Sequence, residues 1–143
     1  MNPTAEAHIE AGLRAVADGS IANTDFTLVY DDMHGLYGGE TITLNGDGTL
    51  QAVWQRPGNV RSEYAGTVSA ASLRDLATLL VAQRAWRHEI PERTYLPDTV
   101  FARVRLRFGA ASSHAWEVQG QPRLGEIRRA MEALVPALAN REP

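Results

Sequence analysis

The sequence predicts an α+β fold: a two-layer sandwich in which a mostly antiparallel sheet of about six strands carries two amphipathic helices on one face and an added N-terminal helix. Three observations carry this expectation. Short segments of period-2 alternation follow one another through residues 25–68, separated by turn residues. Two later segments, 70–84 and 122–138, space their apolar residues at helical intervals. Between them, residues 98–108 alternate without a break, Val100, Ala102, Val104, Leu106 and Phe108 against Phe101, Arg103, Arg105 and Arg107.

The N-terminal segment reads as a helix over residues 3–18, with Asn2 as its cap, Pro3 in its first turn and Gly19 at its end. Its apolar stripe, Ile9, Leu13 and Val16, is thin, so the expectation is a helix that packs lightly or docks on a partner. A strand over 25–30 places Phe26, Leu28 and Tyr30 on one face. A second, 40–45, turns Ile42 and Leu44 inward. Asn45-Gly46-Asp47-Gly48 then forms a hairpin turn, because Asn-Gly and Asp-Gly supply the positive φ that such turns need. The return strand, 49–56, faces Leu50, Ala52 and Trp54 inward, and after Pro57-Gly58-Asn59 a fourth strand, 60–68, does the same with Val60, Tyr64 and Val68.

Ser69 or Ser72 can cap the following helix, Ser72 with Asp75 forming a capping-box-like pair. Its buried face is Leu73, Leu76, Ala77 and Leu80. A connection over 87–97 contains two prolines, a strand over 113–119 pairs with 98–108, and the last helix starts near Pro122. Leu124, Ile127, Met131, Leu134 and Leu138 define that helix's core face, and Pro136 should bend or shorten its end. If Trp116 and Val118 face inward, Glu117 lies opposite Arg103 or Arg105.

Composition narrows the function classes. The 143 residues fit one domain, 1–143, with a helix at 1–20 and an α+β core at 25–138. At 44% apolar and 22% charged, the chain has the composition of a protein that buries a core. No cysteine is present, which excludes disulfides, zinc-thiolate sites and cysteine nucleophiles. All 14 basic residues are arginine, so neither a Schiff-base lysine nor a phosphate-loop lysine exists. A net charge of −3 does not favour nucleic acid. Residues 1–10 lack the features of a signal peptide and no segment is apolar enough for a membrane span, so a cytoplasmic, membrane-free protein is expected.

Two places concentrate chemistry. The glycine-rich loop after the first strand holds Asp31, Asp32, His34 and Tyr37, and two carboxylates with an imidazole could bind a divalent ion or move protons. The competing reading is a solvated turn, since one short loop supplies at most three ligands. Arg103, Arg105 and Arg107 project from one strand face, and planar guanidinium groups suit carboxylate or phosphate partners; the plainer reading is a solvent-facing side of the sheet. Asn45-Gly46-Asp47-Gly48 lacks the ligand spacing of a calcium loop, and His88-Glu89 lacks the second histidine of a zinc-protease helix. Trp54, Trp86 and Trp116 read as core aromatics before they read as a ligand pocket. No cofactor and no metal are expected, and the four histidines, His8, His34, His88 and His114, fall in four different segments.

Several of these features together resemble a known family. Gly38-Gly39 leads into an alternating strand and the Asn45-Gly46-Asp47-Gly48 turn. A leucine-rich helix over 73–80 ends near Trp86, Leu96-Pro97-Asp98 opens a long strand, and Pro122-Arg123-Leu124 opens the last helix. Over residues 35–138 this is similar to the emfourin-type bacterial protease-inhibitor domains and related lipoprotein domains. The chain departs from them in lacking a lipid-attachment cysteine and in adding the N-terminal helix, and no inhibitory residue carries over by position. The resemblance implies a small binding domain, with a thermolysin-like metalloprotease as the implied partner. The sequence reading is therefore a binding domain whose partner is another protein, contacted through the 31–39 loop or the arginine face. An enzyme or metal-binding protein using Asp31, Asp32 and His34, and a structural homodimer subunit, are the alternatives.

Overall fold

The computed structural model describes residues 3–18, 26–33, 38–56, 61–85, 101–118 and 125–136. They form α1 (Pro3–Ala17), β1 (Phe26–Asp31), β2 (Gly39–Asn45), β3 (Thr49–Gln55), β4 (Ser62–Thr67), α2 (Ala70–Ala82), β5 (Phe101–Phe108), β6 (Ala111–Val118) and α3 (Gly125–Glu132). The strands make one six-stranded antiparallel sheet in the order β4-β3-β2-β1-β5-β6. This is the α+β class that the alternation predicts.

Alternation decides the two faces. Phe26, Leu28 and Tyr30 of β1 stand opposite Phe108, Leu106 and Val104 of β5, and all six are buried. Leu44 and Ile42 of β2 lie opposite Leu28 and Tyr30 on one side and opposite Leu50 and Ala52 of β3 on the other. Apolar residues of all three helices join these strand residues in one core cluster. Burying a side chain of this size contributes roughly 1.5–3 kcal/mol, so this face supplies most of the hydrophobic stabilisation. The opposite face carries Thr27, Val29, Asp31, Thr41, Thr43, Gln51 and the arginines of β5, and the described residues there are half-buried or exposed.

The hairpins set the register. In the β2–β3 turn, the N–H of Gly48 donates to the Asn45 carbonyl at 2.9 Å and Gly48 has φ +91°; Gly46 is not in the left-handed region. The Asp-Gly half of the motif thus supplies the left-handed residue. Asp47 reinforces the turn by accepting from Thr49 N–H at 2.9 Å and Thr49 Oγ1 at 2.7 Å. Between β5 and β6 the turn is only Gly109-Ala110, with Gly109 at φ +57°, so β6 begins at Ala111. A two-residue connection of this kind pairs Phe108 with Ala111 and leaves no freedom further along. Glu117 consequently lies opposite Ala102. Arg103 lies opposite Trp116, and Arg105 opposite His114. The expected pairing of Glu117 with Arg103 or Arg105 is therefore wrong by one residue, because an even number of residues in the turn sets Glu117 opposite an inward position of β5.

The helices correct one further expectation and choose between two alternatives. α1 is no loosely docked appendage: Ile9, Leu13 and Val16 are buried, and the helix packs on α2, β5 and β6. A thin stripe suffices because Gly12 lets α1 approach the Phe108 ring, to which an added Cβ would come within 2.6 Å. Ser69, not Ser72, caps α2, its side chain accepting from Ser72 N–H at 3.1 Å. Leu76, Ala77 and Leu80 are buried as predicted and Leu73 half-buried. α2 ends in a left-handed cap: the N–H of Arg84 (φ +50°) donates to Val81 O at 3.1 Å and that of Ala85 to Leu80 O at 3.0 Å. α3 stops at Glu132 and continues as tight turns, Leu134 N–H to Met131 O and Val135 N–H to Glu132 O, both 3.1 Å, shortened ahead of Pro136 as proline predicts. Ile127, Met131 and Val135 of this segment are buried. Trp54, expected inside, is half-buried, as are Tyr64 and Val68 near the β4 edge. Val60, Trp86, Val100, Leu124 and Leu138 lie outside the described residues.

Candidate functional site

Asp31 and Asp32 fall at the point where β1 leaves the sheet, and strand alternation sends them to opposite faces. Asp31 takes the outer face. It lies opposite Arg103 of β5 and Thr41 of β2. Arg103 Nη2 donates to Asp31 Oδ2 at 2.8 Å, while Asp31 Oδ1 accepts from Thr41 Oγ1 at 3.0 Å and from Met33 N–H at 2.9 Å. With side-chain exposures of 14% for Asp31 and 39% for Arg103, the pair is half sheltered, so Arg103 is less exposed than its place in an alternating run predicts. Arg105 and Arg107 are exposed, as expected.

Asp32 takes the inner face and is buried. Its Oδ2 accepts from Tyr30 Oη at 3.0 Å and its Oδ1 from Glu40 N–H at 2.7 Å; the Asp32 N–H in turn donates to Glu40 O at 3.0 Å. Gly39, at φ +137°, makes this close approach possible, since a Cβ there would lie 2.5 Å from the Asp32 carbonyl oxygen. Burial, then the charge of Asp32 and the hydrogen bond to it, raise the Tyr30 phenol well above its ordinary range.

The residue that sequence reasoning missed is Glu40. Its side chain is 2% exposed and meets α3, where Arg128 Nε lies 3.2 Å from Glu40 Oε1 and 3.5 Å from Glu132 Oε1. Glu40 Oε2 has no ordinary donor among the described residues, and Arg128 brings a second carboxyl, that of Glu132, to the same place. A hydrogen bond between two carboxyl groups needs a proton on one of them. Burial, the hydrogen bond to Glu132 and the negative charges of Glu132 and Asp32 together push Glu40 up to about 8, against the partial relief of Arg128. The available signal was its position: a glutamate at an inward step of a strand whose next inward residues are Ile42 and Leu44.

The arrangement separates the loop cluster that the sequence suggested. Asp31 belongs to a cross-strand ion pair and Asp32 to a buried network with Tyr30 and Glu40, so the two carboxylates do not converge. His34 and Tyr37 lie outside the described residues. Among the described residues no three histidine, aspartate or glutamate side chains are placed to hold a metal ion, and no helix is long and apolar enough to cross a membrane. What the outer face offers is a row of guanidinium groups beside short polar side chains, suited to hydrogen-bonding planar anionic groups. Comparison of this chain with protein-family models, curated proteins and solved structures finds no match.

Proposed function

We propose that this chain is a small non-enzymatic binding domain whose outer sheet face docks on a carboxylate-bearing surface of a partner protein. The observation that carries the reading is the exposed pair Arg105 and Arg107, next in line on β5 after Arg103, whose charge is already matched by Asp31. Opposite them on β1 stand Val29 and Thr27, short side chains that leave the guanidinium groups standing above the sheet. An antiparallel face with protruding arginines matches acidic protein surfaces, where arginine forms two parallel hydrogen bonds with a carboxylate. The emfourin resemblance makes a thermolysin-like metalloprotease the first partner to try.

The test is a direct comparison of the wild-type protein with the double variant Arg105→Glu/Arg107→Glu. Both are titrated against thermolysin at low and high salt, and both are used to capture partners from native cells, with each captured protein purified and titrated again. The expected result is a partner that binds the wild type, loses tenfold or more in affinity with the variant, and weakens with salt. A partner that binds both proteins equally removes the outer face from the interaction.

A further inference from the structure

We propose that the Glu40–Glu132 carboxyl pair is a pH-sensitive latch that holds α3 on the sheet while the two acids share one proton and loosens α3 when that proton is lost. The latch joins elements far apart in the chain: Glu40 sits at the start of β2, and Arg128 and Glu132 lie one turn apart on α3. Apolar attachment of α3 rests on Ile127 and Met131, with Val135 just beyond and Ala130 and Leu134 partly buried, and at its N-terminal end Gln83 Nε2 donates to Glu126 Oε2 at 2.7 Å. Polar contacts to Glu40 add to this apolar seating and join α3 directly to β2.

The charge count explains the direction. Tyr30 and Asp32 face Glu40 from β1 and the residue after it, Arg128 and Glu132 face it from α3, and β3 places Trp54, which does not titrate, opposite it. With one proton shared, two negative charges surround one guanidinium. Without it, three carboxylates meet that single cation around a Glu40 side chain that is 2% exposed and poorly screened by water. The least costly relief is to move the helix that brings Glu132, because β2 is pinned by strands on both sides.

Because the chain has no cysteine, an introduced thiol is a clean probe. Met131→Cys reports on the buried face of α3, Ala52→Cys on the sheet core, and Ala133→Cys, at an exposed position, corrects for thiolate formation. Between pH 6.5 and 9, labelling at Met131→Cys relative to Ala133→Cys is expected to rise at least tenfold. Ala52→Cys should stay slow, and the rise should vanish when Glu40→Gln is added. If Met131→Cys impairs folding, Val135→Cys replaces it. Carboxyl-carbon NMR of the unmodified protein gives the second readout, with one of the pair titrating above pH 6.5. Labelling independent of pH, labelling that rises equally with Glu40→Gln, or carboxyl signals for both acids that finish titrating below pH 6 overturns the latch.

Discussion

Asp31 and Asp32 are neighbours in the chain and serve opposite sides of the sheet, one in an ion pair with Arg103 and the other in a buried hydrogen-bond network with Tyr30 and Glu40. Their separation has measurable consequences, because each carboxylate should answer to a different set of partners.

On the outer face, the Asp31–Arg103 contact is short but partly wet. A double-mutant cycle with Asp31→Asn and Arg103→Met should give a coupling of about 0.5–1 kcal/mol in urea denaturation, decreasing with salt. Asp31→Ala should cost more, roughly 1–2 kcal/mol, since it also strands the Met33 N–H and Thr41 hydroxyl donors. A coupling of zero would mean that strand register alone brings the two groups together.

On the inner face, stability should fall as pH rises. Glu40 is pushed from about 4.5 up to about 8 by folding, so between those values the native state takes up a proton that the unfolded chain lacks. Its contribution is fully present at and below pH 4.5, declines as pH rises above it, and levels off beyond pH 8. Glu40→Gln, which mimics the protonated acid, should flatten this slope and be more stable than the wild type at pH 8. Unfolding curves at pH 5, 6.5 and 8 make the comparison, and parallel slopes for the two proteins would refute it.

Arg84 occupies a left-handed conformation that favours glycine, at the cap that ends α2. Arg84→Gly should stabilise the protein by about 0.5–1 kcal/mol by removing that strain, with a rise of a few degrees in Tm. A lower Tm would show that the arginine side chain contributes more than its backbone costs.

Gly12 presents two opposing effects. Alanine would gain about 1 kcal/mol in helix propensity. Its Cβ, however, would meet the Phe108 ring at 2.6 Å, and that ring is buried against Phe26 with centroids 4.9 Å apart. Overpacking of this kind costs roughly 1–3 kcal/mol, so Gly12→Ala should be destabilising on balance. Thermal unfolding of the variant decides the sign.

Much of the fold was legible in the residues themselves. Strands β1, β2, β3 and β5, the buried face of α2 and the Asn45–Gly48 turn follow from period and turn chemistry, because side-chain direction along a strand or helix is a local property. The inward position of Glu40 was legible in the same way. Its partners were not, since Arg128 and Glu132 reach it from a helix more than eighty residues later in the chain. The pairing of Glu117 was misread because it hangs on the number of residues in one turn, and a single residue reverses the outcome.

By itself the sequence determined the fold class, most of the described residues that face the core and the absence of cysteine and lysine chemistry. Only the tertiary structure decided which strand β5 would join. β5 could have extended the sheet beside β4 or returned to β1, and it pairs with β1, making β1 central and leaving β4 at the edge. The physical reason is burial: the inner face of β1 offers Phe26, Leu28 and Tyr30 to Phe108, Leu106 and Val104, whereas β4, Ser62–Thr67, offers only Tyr64 among small or polar side chains. That choice sets Asp31 against Arg103, and with α3 packed on β1 it brings Arg128 and Glu132 to Glu40.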